Sequence, residues 1–70
     1  MQTPYPFEAG DSEILYQTIH DIADGKMESA RTYFNERVSK EKAYEKIVNM
    51  AYLFSYNEED IPRFTTILLN

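Results

Sequence analysis

Seventy residues with no cysteine, one histidine and a formal net charge of -5 define one small domain. That composition excludes disulfides and thiolate zinc sites, and the negative charge argues against direct contact with a phosphate backbone. The longest apolar run is far below the ~20 residues a membrane span needs. The N-terminal stretch MQTPYPFEAGD has neither a basic residue nor the apolar segment of a secretory signal, so a cytoplasmic location is expected. A chain this short buries only about 60% of its unfolded surface, so stability must come from dense helix packing or from a second subunit.

Residues 1–10 hold two of the three prolines and one of the two glycines. Thr3 and Tyr5 each precede a proline and are pushed to extended geometry, so 1–10 is predicted as an extended arm, with Tyr5 and Phe7 apolar enough to pack on the rest. Residues 11–70 are predicted as a single helical domain. Helix 1 is expected over Ser12–Asp24, capped by Asp11 or Ser12, with a stripe of Leu15, Ile19 and Ile22. Gly25 suits the left-handed position that ends it. Asp21 and Asp24 sit near its C-terminal end, where the helix dipole disfavours negative charge, and that local cost marks them as candidates for function.

Helix 2 is expected from Lys26 or Met27 to Val38, with Met27, Ala30, Phe34 and Val38 on one face. Continuing that phase would bury Glu41, Lys42 and Glu45, whereas the apolar stripe restarts at Ala43 and Tyr44. A break is therefore placed at Ser39, a permissible cap, and helix 3 is expected from Lys40 to Phe54 or Tyr56. Its stretch Ile47–Phe54 is apolar except for Asn49, so helix 3 should be the central element. Ser55-x-x-Glu58 matches a capping box for helix 4, which starts within 57–61, tolerates Pro62 in its first turn and carries Ile61, Phe64, Ile67 and Leu68.

Tyr16–Ala23 and Tyr44–Ala51 share the pattern Y-x-x-I-x-x-[I/M]-A, which two amphipathic helices with one stripe produce without a repeat, since helices 2 and 4 do not match. The segment Ala23-Asp24-Gly25-Lys26-Met27-Glu28-Ser29-Ala30-Arg31-Thr32-Tyr33-Phe34 resembles the turn and second helix of a tetratricopeptide unit. Thr18 and Asp21 stand where that family prefers glycine and an aromatic. The resemblance implies only an antiparallel helical hairpin.

Chemistry is sparse. His20 has Asp24 one turn away but no serine in a nucleophile context, and no glycine-rich phosphate loop is present, so no catalytic residue and no cofactor are expected. His20, Asp24 and Glu28 are spaced by four, but Gly25 interrupts the line and no second histidine exists, so no metal is expected. The basic cluster Arg37, Lys40, Lys42 and Lys46 is interleaved with Glu36, Glu41 and Glu45 like an ordinary solvated helix face, which weighs against nucleic acid. The strongest positive signal is six tyrosines and four phenylalanines. Such rings either rim the core with their hydroxyls in water or anchor an interface.

The reading is an all-α bundle of three to four short helices with an extended N-terminal arm. It describes a small non-catalytic acidic protein that acts by binding another protein, as an adaptor, inhibitor or regulatory subunit. Its size and class match small accessory proteins of bacteria and phages. The expected contact residues are Tyr5, Phe7, Tyr44, Tyr52, Phe54 and Tyr56, with Asp21 and Asp24 steering a partner with a basic surface. A homodimer or larger homo-oligomeric module is the first alternative, and a small helix-turn-helix DNA-binding regulator the second.

Overall fold

Four helices make up the computed structural model, which describes residues 3–69: α1 (Asp11–Ala23), α2 (Met27–Arg37), α3 (Ala43–Leu53) and α4 (Asp60–Leu69). No strand occurs among the described residues. The expected arm begins with Met1 and Gln2 and the expected domain ends with Asn70; these three positions lie outside the described residues.

Two of the helices end in the same way. After α1, Gly25 takes φ 82°, its N–H donates to the Ile22 carbonyl at 3.0 Å, and the Lys26 N–H donates to the Asp21 carbonyl at 2.8 Å. After α3, Ser55 takes φ 61°, its N–H reaches the Tyr52 carbonyl at 3.3 Å, and the Tyr56 N–H reaches the Ala51 carbonyl at 2.8 Å. Both are Schellman ends, which satisfy carbonyls the helix leaves open. The second uses a residue with a Cβ, for which the left-handed conformation costs roughly 1–2 kcal/mol.

The helix starts differ from the expected caps. Gly10, at φ 85°, holds the N-cap position of α1, and Asp11 is the first helical residue. The Asp11 carboxylate accepts from the Glu8 N–H at 2.9 Å, and the Asp11 N–H donates to the Glu8 carbonyl at 3.1 Å. Asp60 does the same at α4, accepting from the Asn57 N–H at 3.1 Å and donating its own N–H to the Asn57 carbonyl at 2.9 Å. The reciprocal pair is therefore Asn57 and Asp60 rather than Ser55 and Glu58, because Ser55 is spent on ending α3. Between α2 and α3 the chain breaks, as the phase of the stripes requires: Val38 is extended and the Lys42 N–H turns back to the Ser39 carbonyl at 3.1 Å. Helix α3 begins at Ala43 instead of Lys40, so Ser39 does not cap it.

α1 packs against α2 and α3, and α4 packs against the same two. Leu15, Ile19 and Ile22 of α1 meet Ala30 and Phe34 of α2, while Ile47, Met50 and Ala51 of α3 and Phe64 and Leu68 of α4 close the core. Met27, expected in the α2 stripe, is exposed, because the helix starts there and its first turn lies beyond the core. The Tyr56 ring stands edge-on against Phe64, with centroids 5.0 Å apart. The radius of gyration is 10.7 Å, against about 11 Å for a compact chain of this length. No described helix is long and apolar enough to cross a membrane.

Candidate functional site

Positions 44, 48 and 52 of α3 recur every four residues and therefore share a face. Tyr44 is exposed on that face, Val48 is buried as its floor, and Tyr52 is half-buried. Ile61 and Pro62, in the first turn of α4, form the facing wall, and Pro4 and Tyr5 close one side. The result is an open groove of about 360 Å³. Glu58 stands at its edge, where one carboxylate oxygen accepts the Tyr52 hydroxyl at 3.1 Å. That bond, and then the negative charge of Glu58, pushes the Tyr52 hydroxyl pKa above its usual value of 10.0.

The wall formed by Tyr5 is fixed by a polar contact with α3. Asn49 is fully buried. Its Oδ1 accepts the Tyr5 N–H and its Nδ2 donates to the Tyr5 carbonyl, both at 3.1 Å. The same carbonyl accepts the Thr3 hydroxyl at 2.9 Å. Further along, Lys46 Nζ donates to Glu8 Oε2 at 2.6 Å and to Asp11 Oδ2 at 2.7 Å, and Lys42 Nζ reaches Glu8 at 3.2 Å. Lys46 belongs to the cluster whose spacing predicts a solvated basic face, yet it is buried, because the carboxylates that pair with it come from the start of the chain. Burial alone would lower its pKa, but its bonds to Asp11 and Glu8 prevail and hold it above 10.5. The Glu8 carboxyl is held below 4.5, first by its bond from Lys46 and then by Lys42.

Three of the eight expected contact residues, Tyr5, Tyr44 and Tyr52, meet in the groove. Phe54 lies elsewhere, half-buried, with the Tyr16 ring 6.3 Å away; Tyr16 in turn is 5.9 Å from His20. Tyr56 turns onto Phe64, and Phe7 is exposed without lining the groove. Asp21 accepts from Gln17 Nε2 at 3.0 Å, and Asp24 lies 3.4 Å from His20 Nδ1. Both aspartates thus have partners on α1. Val48, Asn49, Glu58, Ile61 and Pro62 are not among the contact residues expected from the sequence. In the sequence Glu58 has the signature of a cap and Ile61 that of core, since a groove between elements leaves no periodic mark.

Two other hollows are less suited to an apolar partner. One of about 520 Å³ lies between α2 and α4 and is lined by Arg31, Glu36 and Lys40 among others, with Asn35 Nδ2 bonded to the Leu68 carbonyl at 2.7 Å. The other, of about 390 Å³, surrounds the Glu8, Asp11 and Lys46 cluster. No family model matches the chain, and neither does any curated protein or solved structure. The likeness of residues 23–34 to a tetratricopeptide unit therefore stays local.

Proposed function

We propose that this chain is a small acidic cytoplasmic protein without catalytic activity that works by binding another protein. Its binding surface is the tyrosine groove of α3, and the stretch before α1, bent at Pro4 and Tyr5, is an arm packed on a single helical domain, supplying one wall. The observation that carries the reading is the convergence of Tyr5, Tyr44 and Tyr52 around Val48. Tyrosine rings give a partner large contact area at low entropic cost and keep a hydroxyl for bonding. Glu58 at the groove, with Asp21 on α1 and Asp24 just after it, favours a partner with a basic surface.

The nucleic-acid alternative loses support from the basic residues themselves. Lys46 is buried between carboxylates, Lys42 pairs with Glu8, and Arg37 pairs with Glu36 while lying over the Tyr33 ring at 3.9 Å. Charges so engaged have fewer counterions to release on a phosphate backbone.

Selection of a displayed peptide library on the immobilised chain tests the reading. The selected peptides are expected to share a motif and to lose roughly tenfold or more in affinity against Tyr44→Ala or Tyr52→Ala. A selection without a motif, or a motif that binds both variants as well as the parent, refutes it.

A further inference from the structure

We infer that the groove takes an extended, proline-rich protein segment carrying an arginine or lysine, with the cation seated against Glu58; the inference rests on the reading of the groove as a protein-binding surface. Three properties of the groove lead to it: its length, its wall chemistry and its charge.

Tyr44 and Tyr52 are eight positions apart on α3, which is about 12 Å at 1.5 Å per residue. A polyproline II strand rises about 3.1 Å per residue, so about four of its residues span the two rings. Such a strand arrives already extended and loses little entropy on docking, and proline rings pack well between spaced aromatic side chains. Strand addition is not an alternative here, since no sheet edge exists among the described residues.

The chain carries its own precedent. Thr3-Pro4-Tyr5-Pro6 already lies beside α3, with Pro4 and Tyr5 in the groove wall and the Tyr5 backbone held at both its N–H and its carbonyl by Asn49. Proline rings are thus accommodated against this helix, although the chain bends at Pro4 and Tyr5 instead of running straight.

The charge completes the assignment. Among the described residues that line the groove, Glu58 is acidic and none is basic. The Tyr52 hydroxyl holds one of its oxygens in place and leaves the other to accept from a partner. An arginine gains twice at such a site, by pairing with the carboxylate and by stacking on a tyrosine face. The chain uses that stacking itself, at Arg37 over Tyr33.

Titration of the full chain with a short fluorescent peptide of prolines around one arginine tests the inference. One control replaces the arginine with glutamate, and a second replaces the prolines with glycine and serine at the same charge. Saturable binding is expected, with each control weaker by roughly tenfold. Glu58→Gln should weaken the arginine peptide, and Glu58→Lys should turn the preference toward the glutamate peptide; Glu58 is exposed, so neither change threatens the core. Controls that bind equally, or an arginine peptide that does not bind, overturn the assignment. If library-selected peptides still bind through Tyr52 while the arginine peptide does not, the occupant is wrong and the protein-binding surface stands. If neither binds, both readings fall.

Discussion

Replacing Lys46 with methionine removes a cation around which two carboxylates are arranged. Lys46 and Asp11 have side chains only 8% and 7% exposed, whereas Glu8 is 51% exposed. Methionine keeps most of the length and apolar stem, so the perturbation is chiefly the lost charge. Glu8 can turn to water. Asp11 cannot, and it is left as a buried carboxylate with the Glu8 N–H as its remaining bond. Removing one member of a buried ion pair costs about 3–5 kcal/mol, and the surviving amide bond places this case near the lower end, about 3 kcal/mol. A domain of this length has roughly 3.5–10 kcal/mol of total stability. At about 4–8 °C per kcal/mol, the midpoint should fall by about 12–24 °C. Thermal and urea unfolding followed by far-UV circular dichroism at neutral pH measure this. In the double variant Lys46→Met/Asp11→Asn, the buried charge is gone and the asparagine still accepts the Glu8 N–H, so much of the loss should return. A single variant within about 1 kcal/mol of the parent, or a double variant as unstable as the sum of its parts, would refute the reasoning.

The same cluster sets a pH dependence. Glu8 has a folded pKa below 4.5, so its contribution is present above 4.5 and is lost as pH falls through the folded value. Lys46 has a folded pKa above 10.5, so its contribution is complete below 10.5 and is lost as pH rises through the folded value. The difference in melting temperature between the parent and Lys46→Met should therefore be widest in the neutral range and narrow at both extremes; a constant difference contradicts the pairing. Ser55→Gly relieves a left-handed serine and should stabilise by about 0.5–1 kcal/mol in urea unfolding, whereas an unchanged or lowered midpoint would mean that α3 does not end there as described. Spectrophotometric titration should show a Tyr52 component ionising above 10.0 that Glu58→Ala, which removes both the acceptor and the charge, brings back down; superimposable curves would mean that the Tyr52–Glu58 bond does not persist in solution.

What the sequence revealed was whatever repeats along a helix. Leu15, Ile19 and Ile22, or Phe64 and Leu68, announce a buried stripe by spacing alone, and the clash of phase between Val38 and Ala43 announces the break between α2 and α3. Ser55 ends α3 instead of capping α4 because capping-box chemistry and a left-handed helix end compete for one residue, and the second prevails. Lys46 looks solvated in the sequence, and Asn49 carries no signal of its role there, for a different reason. Their partners, Asp11 and Tyr5, are 35 and 44 positions away, and no local window holds such a pairing. The groove follows the same logic. Its tyrosines stood out as surplus aromatics, but Glu58, Ile61 and Pro62 join them only when α4 comes to lie against α3.

The burial of α3 has an order that explains why one helix serves both core and groove. With Tyr44 as origin and about 100° per residue, Met50, Ala43, Ile47 and Ala51 fall between about 240° and 340°, Asn49 and Lys46 near about 140° and 200°, and Val48 and Tyr52 at about 40° and 80°. The first arc faces apolar side chains from the other helices. The second faces the stretch that precedes α1, and its contacts are polar and long-range. Apolar contact alone would hold an unstructured stretch in no particular register, whereas a bidentate amide at Tyr5 and an ion pair at Glu8 fix it residue by residue. Register matters there because Pro4 and Tyr5 form a wall of the groove on the third arc. The near-complete burial of the run from Ile47 to Ala51 therefore has two causes: hydrophobic packing on one flank, and on the other a polar clasp that gives the tyrosine groove its third side.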